Sequence, residues 1–440
     1  MTNRCMRLVD ESIGALLCLL LIPLALVRRA LLAKDSGQKS RKGVCGCSSF
    51  LVLRSWFSPS SNPPPLHPAI LVIKLFGMGS LILATPLLRA LRQACPKARI
   101  TLLTFASNRA LAEAFPDVDR VLTLRSDRFT HFAADVFGLL RNRRFDLALD
   151  LEFFTFFTAL VAFTAAPRRI GFHNWRCGRS LLFTNPVPFT RQRHISLNFL
   201  ALLAPLGIPP PPAPEPVRPH FPPVDSAALL ERLGLRKPFL LINPNASGLS
   251  YERRWPLAHF RALMDRVQAS RPDLHLAVIG SEKERAYSGK LTLDIADSNR
   301  TEPPRIRSLP GGSPDGRDGI GASSRRAVLN LAGQTTLPEL AAILPEATAL
   351  VSNDSGPLHL AALYATPSIA LFGPESPDLY RPLNPHLQCL HCGNLACRPC
   401  LNPYRAKRTS CRGRNECMQR ISPDEVFQAL EALLKTGDRA

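Results

Sequence analysis

Short apolar runs alternate with amphipathic stretches along most of the chain. The run from Ala69 to Leu75 is continuous and β-branched, which is typical of a strand buried on both faces of a parallel sheet. A helical period follows over Leu81 to Ala94, and the same alternation recurs as far as the strand predicted over Ser368 to Phe372. Strands that alternate with helices predict parallel sheets covered on both faces, so we expect an α/β fold.

A proline-rich stretch divides this pattern into two halves, each long enough for a domain of ordinary size. We place the domain boundary at this stretch because proline runs form semi-rigid connectors. The predicted order is a membrane-anchoring segment over 1–35, a basic, proline-rich tether over 36–66, a Rossmann-like domain over 67–207, a linker over 208–224, a second Rossmann-like domain over 225–385 with a disordered insertion over 297–326, and a cysteine-rich tail with a final helix over 386–440.

The anchoring segment contains an uncharged apolar run from Ile13 to Val27. A spanning helix needs roughly 20 apolar residues, and Pro23 would kink a helix within this shorter run. Basic residues flank both ends, so the run favours an interfacial or re-entrant anchor with both ends cytoplasmic. A true spanning anchor and a signal peptide are the alternatives.

Charge narrows the range of partners. Lys and Arg number 55 against 34 Asp and Glu, which gives a formal net charge of +21 and suits an anionic partner. No nucleic-acid-binding motif is present in the sequence, so the predicted partners are an anionic membrane surface and an anionic glycolipid rather than nucleic acid.

Two turns carry candidate chemistry. Gly77 and Gly79 form a glycine turn between the first strand and its helix, a position that points backbone N–H groups at a ligand. In the second half, a short strand leads into Asn353-Asp-Ser-Gly-Pro-Leu-His359 at the start of a helix. Free N–H groups and the positive end of a helix dipole would favour a nucleotide diphosphate there, whereas an ordinary capped helix is the alternative.

Three segments together resemble the ADP-heptose:lipopolysaccharide heptosyltransferase family, glycosyltransferase family 9. They are SNDSGPLHLAALYATPSIALFGP, INPNASGLSYERRWP and ILVIKLFGMGSLILATPLLRAL, within about residues 68–385. The resemblance implies a GT-B fold, in which two Rossmann-like domains face each other across a cleft. It also implies an inverting, metal-independent transfer of a heptose-like sugar from a nucleoside-diphosphate donor, similar to ADP-heptose, to a lipopolysaccharide or related glycolipid on the cytoplasmic face of the bacterial inner membrane.

The resemblance also assigns donor-binding residues by position. The donor diphosphate and sugar would contact the turn residues Asp354, Ser355, Gly356, Pro357 and His359. Arg253 or Arg254, just before Trp255, would neutralise phosphate, and Glu284 resembles an acidic residue that contacts the ribose or base.

The sequence departs from the family at the general base. The family usually has Asp after the glycine turn, where this chain has Ser80, and a serine cannot act as a base without help. Glu152 follows a neighbouring strand and is the first substitute, with Asp150 as the second. Two alternative functions therefore stay open. One is a nucleotide-sugar or glycolipid-binding protein that has lost the catalytic general base, and the other is a nucleotide-sugar epimerase.

Six of the twelve cysteines lie between residues 389 and 417. Cys389, Cys392, Cys397 and Cys400 form two CxxC pairs, which is metal-ligand spacing and predicts a structural zinc site. Disulfides and free thiols are the alternatives, and the resemblance implies no cofactor for catalysis.

Overall fold

The computed structural model describes residues 67–440, except 142–144, 174–177, 247, 249, 293–326, 394, 402–410, 412 and 438–440. The predicted anchor over 1–35, the tether over 36–66 and the insertion over 297–326 lie outside the described residues. Within the described part of the chain, no helix is both long and apolar enough to cross a membrane.

The first half of the described chain forms a parallel sheet of six strands in the order β3-β2-β1-β4-β5-β6. Its strands are β1 Ala69–Ile73, β2 Arg99–Phe105, β3 Arg120–Leu124, β4 Leu147–Asp150, β5 Arg168–His173 and β6 Asn185–Pro188. Its helices are α1 Met78–Ile82, α2 Thr85–Ala94, α3 Arg109–Glu113, α4 Phe129–Arg141, α5 Phe156–Ala165 and α6 Ile195–Ala201.

The second half repeats this topology in a parallel sheet ordered β12-β11-β10-β7-β8-β9. Its strands are β7 Phe239–Asn243, β8 His275–Val278, β9 Leu329–Asn330, β10 Ala349–Asn353, β11 Ser368–Phe372 and β12 Leu387–His391. Its helices are α7 Ser226–Arg232, α8 Leu257–Ser270, α9 Arg285–Gly289, α10 Leu337–Ile343, α11 Gly356–Leu363, α12 Pro377–Tyr380, α13 Glu416–Gln419 and α14 Pro423–Gly437.

Burial explains why these segments are strands. All residues of β1, β7, β10 and β11 are buried, as expected for parallel strands with helices on both faces. In each sheet the strand order reverses between two central strands, which are β1 and β4 in the first sheet and β7 and β10 in the second. Ligands of open parallel sheets bind beyond the carboxyl ends of the strands at such a switch point.

The two domains touch through α1 and α11, which pack against each other. Gly79 of α1 lies so close to α11 that a Cβ atom added to it would come 2.3 Å from the ring carbon Cδ2 of His359. A second contact joins the His194 ring nitrogen Nε2 to the backbone oxygen of Arg381 at 2.9 Å. Both switch points therefore face the same interdomain space.

Three features differ from the sequence-based expectation. The helix predicted over Leu81 to Ala94 is two helices, α1 and α2. The strand β6 was not predicted, because its segment Asn-Pro-Val-Pro carries two prolines. The region predicted as a tail from residue 386 contributes β12 to the second sheet, and α14 packs its Val426 and Leu430 into the core beside Phe260 of α8.

Candidate active site

A cavity of about 530 Å³ lies between the switch points of the two sheets. That volume is within the range of pockets that hold a nucleotide-sized ligand. Its walls come from both domains and include most of the residues predicted as functional. The polar and charged residues in its lining are Lys74, Ser80, Ser107, Asn108, Ser126, Glu152, Asn243, Asn245, Arg253, Ser281, Glu284, Thr335, Thr336, Asp354, Ser355, His359 and Tyr380.

The turn between β10 and α11 forms the floor of this cavity on the second domain. Ser355 occupies the N-cap position of α11, but its side chain makes no capping hydrogen bond. Its hydroxyl instead accepts a hydrogen bond of 2.7 Å from the side-chain amide of Asn243, which also donates to Ser352. The first-turn N–H groups of α11 therefore lack a side-chain cap at the cavity wall, where the helix dipole favours an anion.

Arg253 holds this turn by hydrogen bonds to Asp354. Its Nη1 atom donates to the backbone oxygen of Asp354 at 3.0 Å and to the carboxylate Oδ2 of the same residue at 3.2 Å. Both side chains are buried and both line the cavity. A buried, paired arginine holds its position and brings positive charge next to the uncapped end of α11.

Arg254 does not reach the cavity. Its guanidinium lies 4.4 Å from the ring centroid of Tyr251 and 3.9 Å from that of Tyr287, so it stacks between the two rings. Of the two arginines predicted to meet the donor, only Arg253 lines the cavity, so the geometry favours Arg253 for that role.

The remaining donor-side residues lie at the cavity as predicted from the sequence. Glu284 lines it, and its Oε2 accepts hydrogen bonds from the backbone nitrogen and hydroxyl of Ser281 in a capping box. His359 is buried, with Nε2 at 3.9 Å from Oδ1 of Asp354. Gly356 and Pro357 form the adjoining wall.

The glycine turn of the first domain faces α11 across the cavity. Gly77 has a φ of 80°, a left-handed conformation that favours glycine. The Ser80 hydroxyl donates to the backbone oxygen of Phe76 at 2.7 Å, so the side chain closes its own turn. This hydroxyl stabilises the loop, and among the described residues no basic side chain forms a hydrogen bond with it.

Glu152 lies at the carboxyl end of β4 and is almost completely buried. Its Oε1 atom accepts three hydrogen bonds, from the ammonium of Lys74 at 2.6 Å and from the backbone nitrogens of Leu75 and Phe76 at 2.9 and 3.0 Å. These donors fix the carboxylate to the start of the glycine turn. Because all three fall on Oε1, the second oxygen is available to a ligand in the cavity that Glu152 lines.

Asp150, the second predicted base, is directed away from the cavity. Its Oδ2 accepts a hydrogen bond of 2.7 Å from Nη2 of Arg179, and both side chains are completely buried. Burial raises the pKa of Asp150 from its ordinary value of 3.8 to about 6, although Arg179 opposes the shift. Asp150 is therefore held in a buried ion pair and does not line the cavity, so the geometry favours Glu152 over Asp150 as the base.

The described residues contain no group of three or more side chains arranged to hold a metal ion. Of the predicted zinc ligands, Cys389 belongs to β12, where it pairs with Ala370, and the backbone nitrogen of Cys400 donates to the backbone oxygen of Pro374. None of the four predicted ligands forms a disulfide. Burial raises the pKa of a further thiol, Cys417, to about 11, which keeps it protonated at neutral pH.

Two residues of the site were missed by reasoning from sequence. Lys74 is a charged residue at the end of a fully buried strand, and that position is itself a signal of a paired or functional group. Asn243 ends β7 at the switch point and positions Ser355. A polar residue that closes an otherwise apolar strand is the pattern that would have identified both.

Two facing Rossmann-like domains, with an uncapped helix N-terminus on one side of the cavity and a carboxylate on the other, define the class of GT-B glycosyltransferases. The family model of glycosyltransferase family 9 (heptosyltransferase) matches residues 135–300 and 309–409. The chain belongs to this family and is a glycosyltransferase.

Individual relatives agree with this assignment. Lipooligosaccharide heptosyltransferase 2 of Haemophilus ducreyi is 25% identical over 393 residues, which covers 83% of this chain and 99% of the relative. The solved structure of the ADP-heptose lipopolysaccharide heptosyltransferase II of Escherichia coli superposes with a TM-score of 0.61 at 20% identity, covering 84% of this chain and 99% of that one. An Escherichia coli heptosyltransferase solved with ADP gives a TM-score of 0.57 at 16% identity and covers 83% of this chain and 99% of that one. The predicted α/β, GT-B fold is confirmed.

Proposed function

We propose that this chain transfers a heptose-like sugar from a nucleoside-diphosphate donor to a lipopolysaccharide or related anionic glycolipid, with inversion at the anomeric carbon and without a metal ion. The observation that carries the proposal is the uncapped N-terminus of α11, backed by the buried Arg253–Asp354 pair, in a cavity of about 530 Å³. ADP in the solved heptosyltransferase of Escherichia coli supports ADP as the nucleotide of the donor.

On the donor side, the diphosphate would lie against Ser355, Gly356 and Pro357. The backbone N–H groups of Ser355 and Gly356 stabilise the charge that develops on the leaving nucleoside diphosphate as the sugar–phosphate bond breaks. Arg253, held in place by its ion pair with Asp354, adds a guanidinium beside these N–H groups. Asp354 and His359 would contact the sugar, and Glu284 the ribose or base.

On the acceptor side, Glu152 would act as the general base. The acceptor hydroxyl attacks the anomeric carbon from the face opposite the diphosphate, and its proton passes to the second carboxylate oxygen of Glu152. The three donors on Oε1 hold the carboxylate in one orientation, which is the preorganisation that proton transfer requires. This role replaces the aspartate that the family usually has at Ser80.

A chain that binds the donor without turning it over is the competing function, and Ser80 is the residue that favours it. We place the working enzyme at the cytoplasmic face of the bacterial inner membrane, because its proposed acceptor is a lipid and its net charge of +21 suits an anionic surface.

The Glu152→Gln variant separates the two functions. Glutamine keeps an oxygen for Lys74 and the two backbone donors but cannot take a proton, so transfer should fall by about 10²- to 10⁴-fold. Thermal stabilisation by ADP should remain, because binding to the folded state alone raises stability. Glu346→Gln, a surface carboxylate of the second domain, is the matched control. Normal turnover by Glu152→Gln would show that the base lies elsewhere.

A further inference from the structure

The helix α4 presents an uncharged face to solvent. Two rows of residues spaced four apart form this outward face: Phe129, Ala133 and Phe137, and beside them Thr130, Ala134 and Gly138. All six residues are exposed. Phe129 is 56% exposed and Phe137 is 62% exposed, which makes them two of the four exposed large hydrophobic residues in the described part of the chain. A surface helix normally carries its charged residues on this side.

The opposite side of α4 packs as a surface helix should. The ring of Phe132 lies 5.2 Å from that of Phe157 in α5. Two titratable residues of α4, His131 and Asp135, lie beside this face and are half-buried. His131 is paired with Asp127, and Asp135 is paired with Arg125. The apolar outward face is therefore a property of this helix and does not arise from a reversed orientation.

Basic residues flank α4 in the sequence. Residues 125–144 contain five arginines and two aspartates, and both aspartates are already paired. Arg128 is exposed immediately before the helix, and the sequence places Arg141, Arg143 and Arg144 at and after its end. Exposed aromatic residues between basic residues match the surface of an anionic bilayer, where apolar side chains enter the interface and arginines meet the headgroups.

The position of α4 connects this face to the active site. Ser126, in the loop that leads from β3 into α4, lines the cavity between the domains. A bilayer in contact with α4 would therefore hold a membrane-embedded acceptor with its headgroup at the edge of the first domain's side of the cavity.

We propose that the outward face of α4 (Phe129, Thr130, Ala133, Ala134, Phe137 and Gly138) docks on an anionic lipid bilayer and presents the lipid-linked acceptor to the cavity. An anionic bilayer is chosen as the partner of this face because of the arginines that flank α4 in the sequence. The presentation of an acceptor rests on the proposed function. The apolar segment over Ile13 to Val27 can bring the chain to a membrane by itself, so the test must report which part of the folded domain meets the lipid.

The full-length Phe137→Trp variant provides such a report. Mixed with vesicles of phosphatidylglycerol and phosphatidylethanolamine, the emission that this tryptophan adds to the wild-type signal should shift to the blue. Bromine atoms on the acyl chains should quench it. Leu181→Trp is the matched control, since Leu181 is 36% exposed on the same domain but lies outside α4. Vesicles of phosphatidylcholine alone should give a weaker response, because they lack the negative charge that the arginines would meet.

An equal response of the two tryptophans to brominated lipid would overturn the proposal. Coverage of the face by a second copy of the chain would also overturn the proposal. In that case the Phe137→Trp emission would already be blue-shifted without vesicles. The chain would also be a dimer in sedimentation velocity, and the Phe129→Asp/Phe137→Asp variant would convert it to a monomer. None of these measurements needs donor, acceptor or turnover. A failure of the transfer assay would therefore leave the result at α4 standing.

Discussion

Replacement of Gly79 by alanine tests the closed contact between the domains. The added Cβ atom would lie 2.3 Å from Cδ2, 2.7 Å from Nε2 and 2.9 Å from Cγ of His359. Carbon atoms pack at about 3.5–4.0 Å, so the two domains must separate by about 1 Å or more. His359 cannot easily move away, because its ring is buried beside Asp354.

The expected consequence is a loss of activity larger than the loss of stability. A misplacement of about 1 Å between donor and acceptor groups can reduce the rate by about 10²-fold. Overpacking costs about 1–3 kcal/mol in a closed core, and opening of the cleft should keep the cost at the lower end of that range. The assays are kcat/KM for transfer and urea denaturation of the full-length chain.

Gly393→Ala is the matched control, since no atom lies within 4 Å of a Cβ added there and Gly393 does not line the cavity. This change should leave both the stability of the fold and kcat/KM close to the wild-type values. Wild-type kcat/KM in Gly79→Ala would refute the reasoning, because the approach of Gly79 to His359 would then play no part in the working enzyme.

Three further predictions follow from the same structure. Arg253→Met should weaken ADP binding at least about tenfold in calorimetric titration. Arg254→Ala removes a guanidinium stacked between two tyrosines and should leave the affinity for ADP unchanged. Equal effects of the two variants would contradict the assignment of Arg253 alone to the cavity. Asp225→Ala removes the side chain that caps α7 by accepting from the backbone nitrogens of Ala227 and Ala228, so it should cost about 1 kcal/mol in urea denaturation without loss of transfer. The folded-state pKa of Asp150 is raised from 3.8 to about 6, so the stability linked to its proton is complete below about pH 3.8 and is lost as the pH rises to about 6. The Asp150→Asn variant should lack this part of the pH dependence, which is on the order of 3 kcal/mol. An unchanged slope of stability between pH 4 and 6 in this variant would exclude Asp150 as the source.

Much of the fold could be predicted because parallel strands buried on both faces have an unmistakable composition. The segments Ala69 to Ile73 and Phe239 to Ile242 are continuous apolar runs, and the structure places both at the centres of their sheets. β6 and β12 were missed because edge strands carry prolines and polar residues that the central strands exclude. The C-terminal region was predicted as a tail because its packing against α8 depends on long-range contacts that no local pattern reveals.

At the site, motifs predicted which turns face the cavity but not the direction of each side chain. Asp150 and Glu152 are two residues apart at one strand end, yet Asp150 is sealed against Arg179 and Glu152 lines the cavity. Arg253 and Arg254 are adjacent, yet only Arg253 reaches Asp354. Partners that lie far away in sequence decide these outcomes: Arg179 is 29 residues from Asp150, and Asp354 is 101 residues from Arg253.

The most direct test of the central claim is the release of ADP from an ADP-heptose donor by the full-length chain, with and without a heptose-accepting glycolipid. We predict that ADP release depends on the acceptor and that the sugar appears on the glycolipid with inverted anomeric configuration. Donor binding without acceptor-dependent release, or release of an epimerised sugar in the absence of acceptor, would contradict the account.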